Sequence, residues 1–204
     1  KKPNMKKWID FANRITGGSK EIEIAIIGKY THLKDSYISH EETFRYAGAM
    51  RDCKVKIRWI EAPSMEEKGN TEDLEGVDGV LVPGGFGSRG SEGKIMAANW
   101  ARENGIPYLG VCFGFQLAVV EFARNVLGMK GANSTELNKE TKYPVISLLP
   151  EQESVKEMGA TMRLGDHPVI ISKGKARDLY NAKEIEERHR HRFEVNPNVI
   201  GKIE

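Results

Sequence analysis

The chain has 204 residues, enough for one domain with a substantial core and too few for two independent large ones. Lys and Arg total 31 against 29 for Asp and Glu, and a net charge of +2 gives no broad attraction toward nucleic acid or an anionic membrane surface. With 39% hydrophobic and 29% charged residues, and no apolar run near the roughly 20 residues that cross a bilayer, a disordered chain and a membrane-spanning one are both excluded.

The basic start Lys1-Lys2-Pro3-Asn4 is not followed by an apolar signal core, and two cysteines, Cys53 and Cys112, are too few for a disulfide scaffold. A cytoplasmic protein is expected. Met5, Trp8, Ile9, Ala12 and Ile15 fall at helical spacing before Gly17-Gly18-Ser19, which predicts an amphipathic helix leading into a linker. Residues 1–20 are thus expected to connect to a domain that runs from 21 to 204. Ile22 to Ile27 reads as a buried strand closed by Gly28. Ser36 is placed to cap a helix that runs to about Met50. Val55, Ile57 and Trp59 then alternate with Lys54, Lys56 and Arg58 as a half-exposed strand.

Asp78 to Val82 predicts a third strand, Ser91 to Asn104 a helix ended by Gly105, and Pro107 to Val111 a fourth strand. Gln116 to Val126 is apolar nearly all round and reads as a helix buried against the sheet. This alternation predicts an α/β fold: a mostly parallel sheet with helices on both faces, and a binding site at the carboxyl ends of the strands. Beyond Gly128 the rhythm changes. Tyr143 to Leu149, Pro168 to Ser172 and Arg188 to Val195 read as further strands, and Gly165-Asp166-His167-Pro168 as a turn.

Gly110-Val111-Cys112-Phe113-Gly114 stands where a buried strand passes directly into a buried helix. A nucleophile on such an elbow sits in a strained conformation with its side chain at the top of the sheet, and glycines two positions to either side avoid clashes. The helix start also favours thiolate over thiol. Cys112 is the candidate nucleophile. Cys53, between a helix end and a charged strand, has no such frame and is read as structural.

Gly85 to Gly90 spells G-x-G-x-x-G, the pattern of a dinucleotide loop. It follows the third strand rather than the first, and about 20 residues on, where an acidic residue is required, the chain has Gly110-Val111-Cys112. Another use of these glycines is an oxyanion hole, with the amides of Gly85 and Phe113 converging on one carbonyl oxygen. An ordinary glycine-rich turn is the third reading.

Thiol chemistry on an amide calls for a histidine that moves protons and a carboxylate that orients it. His32, His40 and His167 carry no usable motif. Glu187 to Glu194 alternates strictly, so a strand there places His189 and His191 on one face and the arginines on the other. A metal pair lacks a third ligand, and a nucleic-acid patch is opposed by Glu184, Glu186 and Glu187. A solvated strand is the default, with His191 as base and Glu194 as its orienter remaining open on residue type alone.

Gly110-Val111-Cys112-Phe113-Gly114-Phe115-Gln116 resembles the nucleophile signature of class I, triad-type glutamine amidotransferases, and Pro83-Gly84-Gly85-Phe86-Gly87 resembles their oxyanion strand. Gly28-Lys29-Tyr30 with Asp35-Ser36-Tyr37, Asn133-Ser134-Thr135-Glu136, Thr161-Met162-Arg163-Leu164-Gly165 and Glu187 to Asn196 are similar to the glutaminase domains of the CTP synthase family. The resemblance implies a flavodoxin-like glutaminase domain in which Cys112 attacks the side-chain amide of glutamine. Gly85 and Phe113 would serve as oxyanion donors, and Gly84, Gly85, Phe113, Gly114, Phe115, Gln116, Glu136 and Arg163 would bind glutamine. A guanidinium suits the substrate α-carboxylate, and a carboxylate suits its α-ammonium.

The resemblance further implies no cofactor or metal in this domain. ATP and Mg²⁺ would act in an amidoligase domain that makes CTP from UTP, with GTP as activator and a homotetramer as the full enzyme. That amidoligase domain, N-terminal in the family, is not part of these residues. Neither is the family's His-Pro-Glu motif, which lies downstream of the Arg-His-Arg-His-Arg segment. A chain without that base is expected to hydrolyse glutamine poorly.

Overall fold

A computed structural model describes residues 3–149 and 162–203. Lys1, Lys2, Thr161 and Glu204 lie outside the described residues. Four strands, β1 (Lys20–Gly28), β2 (Cys53–Glu61), β3 (Gly79–Val82) and β4 (Tyr108–Gly110), form one sheet in the order β2-β1-β3-β4. Every neighbouring pair in it is parallel. The strand runs and the helices between them fall where hydrophobic patterning places them.

The register assigns the two faces. Ala25, Ile27, Ile60, Val80 and Val82 share one face and pack with Ala62 and Met65 of α3 (Ala62–Lys68) and Ala97 and Ala101 of α4 (Ser91–Glu103). On the opposite face Gly48 of α2 (Ile38–Met50) lies against the Cys53 carbonyl and Val55. Helices therefore cover both faces. Ile26 and Ile27 are fully buried on opposite sides of the same strand, each contributing about 2–3 kcal/mol through removal of its side chain from water. Edge strand β2 turns Lys54 and Lys56 toward Glu21, a charged rim that discourages pairing with another chain.

The amphipathic N-terminal helix, α1 (Lys6–Thr16), rests on α2 through Phe11 and Tyr46, whose ring centroids lie 6.0 Å apart. Helix α5 (Phe113–Asn125) begins directly after the elbow. Its Leu117, Val120 and Ala123 pack with Val145 and Ile146 of β6 (Pro144–Leu148), which joins β5 (Asn133–Ser134) and β9 (Phe193–Val195) in a second sheet. An antiparallel ribbon of β7 (Arg163–Ile170) and β8 (Glu184–His191) stands apart from both sheets. Helices α6 (Lys175–Tyr180) and α7 (Pro197–Ile203) complete the described chain. Among the described residues no helix is long and apolar enough to cross a membrane.

Three local expectations are corrected. Ser36 does not cap α2: it lies in a 3₁₀ turn, Lys34–Tyr37, that runs straight into the helix, and its own N–H donates to the Leu33 carbonyl. Gly165 to Pro168 is not a turn but the middle of β7, paired with Glu186 to His189; as β7 has a single partner strand, Pro168 is tolerated there. The strand expected over Arg188 to Val195 is two strands broken at Arg192, where the chain leaves the ribbon for the second sheet.

Candidate functional site

Three adjacent strands deliver their carboxyl ends side by side. Lys29 follows β1, the glycine loop from Pro83 follows β3, and Cys112 follows β4, with Val82 and Gly110 as direct cross-strand partners. The loop and the elbow are thus neighbours because their strands are neighbours.

Cys112 has φ 51° and ψ −107°, a conformation that a residue with a side chain adopts at a cost of about 1–3 kcal/mol. The flanking glycines explain how the turn is so tight. A Cβ on Gly110 would lie 2.5 Å from the Phe115 nitrogen, and one on Gly114 2.0 Å from the Val82 carbonyl oxygen. The elbow is clamped by Val111 N–H donating to the Val82 carbonyl at 2.9 Å and by the Tyr108 hydroxyl donating to the Gly114 carbonyl at 2.8 Å.

Cys112 is an exposed residue, and the Phe113 N–H donates to its sulfur. Its Sγ also lies 3.9 Å from the Arg190 carbonyl on the β8 ribbon. Partial burial of the thiol pushes its pKa up; the Phe113 amide opposes this, the Glu136 carboxylate adds to it, and Lys94 pulls the other way. The expected preference for thiolate at the helix start is therefore corrected. The amide does act in that direction, but loss of water around the sulfur outweighs it.

The glycine loop is held against the elbow. A Cβ on Gly84 would lie 3.7 Å from the Cys112 Cβ, and one on Gly85 3.8 Å from the Phe113 ring. Gly85 itself is exposed, so this edge of the site opens to solvent. Lys94 Nζ donates to the Pro83 carbonyl at 3.2 Å, Lys29 Nζ donates to the carbonyls of Phe86 and Gly87, and Gly87 N–H donates to Glu136 Oε1 at 2.9 Å. The peptides on either side of Gly84-Gly85 are pinned.

The structure thus brings Gly84, Gly85, Cys112, Phe113, Gly114 and Glu136 together. Phe115 is half exposed on the first turn of α5. Gln116 is buried and its amide donates to the Phe193 carbonyl at 2.7 Å, tying α5 to β9. Arg163 pairs with Glu194 at 3.4 Å; on the ribbon it lies opposite His191, the residue after Arg190. His191 donates its Nδ1 proton to the Phe193 carbonyl at 3.1 Å, so a backbone group rather than Glu194 orients the ring. Burial and neighbouring His189 lower its pKa. His189 and His191 do share the half-buried face of β8, as alternation implies. Cys53 has its thiol on the Arg51 carbonyl, away from the elbow.

Two buried lysines outside the expected set of site residues, Lys29 and Lys94, stand behind the elbow. Their ammonium groups lie 5.9 and 5.5 Å from the centroid of the Phe113 ring. For Lys94 a signal existed: it occupies the same helical stripe as Ala97, Ala98 and Ala101.

The family model for class-I glutamine amidotransferase matches residues 32–203. The CTP synthases of Thermococcus gammatolerans and Pyrococcus furiosus are each 56% identical over 205 residues, covering 100% of this chain and 38% of theirs. That of Archaeoglobus fulgidus is 53% identical over the same span. The chain therefore spans 38% of the length of these relatives. Among solved structures, the glutaminase domain of Trypanosoma brucei CTPS with bound acivicin is 36% identical, with a TM-score of 0.77, over 89% of this chain and 71% of that one.

Proposed function

The chain belongs to the class-I glutamine amidotransferase family, and on that premise we propose that it hydrolyses glutamine through a thioester on Cys112 and supplies the ammonia for amination of UTP to CTP. The observation that carries this reading is the elbow itself: an exposed Cys112 whose sulfur receives the Phe113 amide, beside the backbone of Gly84 and Gly85.

In the first step the Cys112 thiolate attacks the side-chain amide carbon of glutamine. The carbonyl oxygen gains negative charge and is met by the amides of Phe113 and Gly85 as its oxyanion donors. The carbon–nitrogen bond then breaks, the nitrogen takes the proton given up by the Cys112 thiol, relayed through water at the exposed edge beside Gly85, and ammonia leaves a γ-glutamyl thioester. Water attacks this ester, giving glutamate and the free thiol. Two modest barriers replace one high one. Glu136 serves the α-ammonium and Arg163 the α-carboxylate, each exchanging an internal partner, Gly87 N–H and Glu194 respectively, for substrate. Gly84, Gly114, Phe115 and Gln116 shape the pocket around the side chain.

The relatives are CTP synthases of which this chain matches one part. An amidoligase portion, using ATP and Mg²⁺ with GTP as activator in a homotetramer, is the consumer of the ammonia, and no cofactor acts within these residues.

The test is incubation of the purified protein with glutamine, following glutamate and ammonia, with acid quenching and mass analysis of the Cys112 peptide. Equal release of both products and a γ-glutamyl adduct on Cys112, each abolished by Cys112→Ala, are expected. Glutamine binding without adduct or release would make the domain a binding module instead. Release from other γ-glutamyl amides but not from glutamine would make it a different cysteine hydrolase.

A further inference from the structure

Lys94 is 1% exposed in the middle of an otherwise small and apolar helix face. Burying an ammonium is costly, and buried lysines normally have a carboxylate partner. Among the described residues none pairs with Lys94. Its hydrogen bond goes to the Pro83 carbonyl at 3.2 Å, and its Nζ lies 3.6 Å from where a Cβ on Gly85 would stand. Beyond it is the Phe113 ring, with the ring centroid 5.5 Å away. The charge thus lies beside Gly85 and Phe113, the two residues read above as oxyanion donors, and it acts on the Cys112 thiol. An unneutralised cation in a low-dielectric setting stabilises nearby negative charge far more than it would in water.

We propose that Lys94 is a positioning residue of the oxyanion loop. Its ammonium holds the Pro83 carbonyl so that the Gly84-Gly85 backbone stays beside Cys112, and its charge stabilises both the thiolate and the tetrahedral oxyanion. This rests on reading Gly85 and Phe113 as the oxyanion donors. The groups that face Lys94 are Lys29 from the end of β1 and Cys112 from the elbow; Glu136 acts at one remove on both of these, and Arg89 and Glu66 on Lys29.

The test uses Lys94→Met, which removes donor and charge, and Lys94→Gln, which keeps a donor for Pro83 and removes the charge. The first readout is the pH dependence of Cys112 alkylation by iodoacetamide, which needs no glutamine turnover. Below pH 8, where Lys94 is still an ammonium, both variants are expected to slow alkylation about threefold or more, as loss of a neighbouring cation does, and above that pH their rates should converge on the wild type's. The second readout is glutamine hydrolysis, where kcat should fall by about tenfold or more with KM little changed. Lys94→Ala should regain activity with added ethylamine or propylamine.

An unchanged alkylation profile in a folded variant overturns the proposal. So does failure of both Lys94→Met and Lys94→Gln to fold, which would mark the lysine as structural. A wild-type protein that releases no glutamate sinks the glutaminase reading alone, because the alkylation profile still reports what Lys94 does to the thiol.

Discussion

Gly114 lies so close to Val82 that a methyl group on it would stand 2.0 Å from the Val82 carbonyl oxygen. That oxygen also accepts the Val111 N–H, so it cannot retreat without opening the elbow. Gly114→Ala is therefore expected to cost more than about 3 kcal/mol in urea unfolding. Gly128→Ala is the control: its φ of +67° is unfavourable, but nothing lies within 4 Å of the added methyl, so about 1–2 kcal/mol is expected.

The parallel sheet was legible because each of its strands is a short apolar or alternating run bounded by glycine or proline, and the elbow because its glycines answer to one steric requirement. Helix α3 was passed over because seven residues hold too few turns for a period to show, although Pro63 in its first turn and Gly69 in a left-handed conformation mark both ends. Strand β7 was disguised by Gly165 and Pro168, residues that signal a turn unless a partner strand is known. At the site, the nucleophile and the loop were readable because adjacent strands carry them. The contacts of Glu136 with Gly87 and of Lys94 with Pro83 were not, since each joins residues whose proximity depends on tertiary packing.

Glu136 has two effects on the elbow: it accepts the Gly87 amide and its charge raises the Cys112 pKa. Glu136→Gln keeps an acceptor for Gly87 and removes the charge. Alkylation of Cys112 in the wild type should rise with pH through a midpoint above that of an ordinary cysteine, because burial disfavours the thiolate. In Glu136→Gln the midpoint should move down, since a repelling carboxylate is gone. A midpoint that stayed put would show that Glu136 is too well screened to act on the sulfur.

Glu121 is 2% exposed on α5 and is held by Arg102 of α4, whose Nε and Nη2 both reach its Oε1 at 3.0 Å. Asn125 adds a third donor at 3.1 Å. Arg102→Ala strands a buried carboxylate and should cost about 3 kcal/mol, whereas Arg102→Met combined with Glu121→Leu should recover most of that loss. Thermal or urea unfolding of Arg102→Ala and of the double variant, each compared with the wild type, checks both expectations.

Lys94 makes stability and function pull in opposite directions. Burial, reinforced by the charge of Lys29, lowers its pKa from 10.5 to about 8. Below pH 8 the folded protein carries a desolvated ammonium that the unfolded chain hydrates freely. A displacement of this size corresponds to about 3 kcal/mol lost at neutral pH. Lys94→Met removes that penalty and leaves the Pro83 carbonyl without its donor, worth about 1 kcal/mol, for a net gain of about 2 kcal/mol. The sign has a pH signature. Between pH 8 and 10.5 the folded wild type has released a proton that its unfolded chain still holds, so its stability rises with pH across this window. The advantage of Lys94→Met in urea unfolding should accordingly be largest at or below pH 7 and shrink as the pH approaches 10.5. A variant less stable than wild type at pH 7 would mean that the Pro83 hydrogen bond outweighs the burial of charge, and the lysine would then need no functional reason to be there.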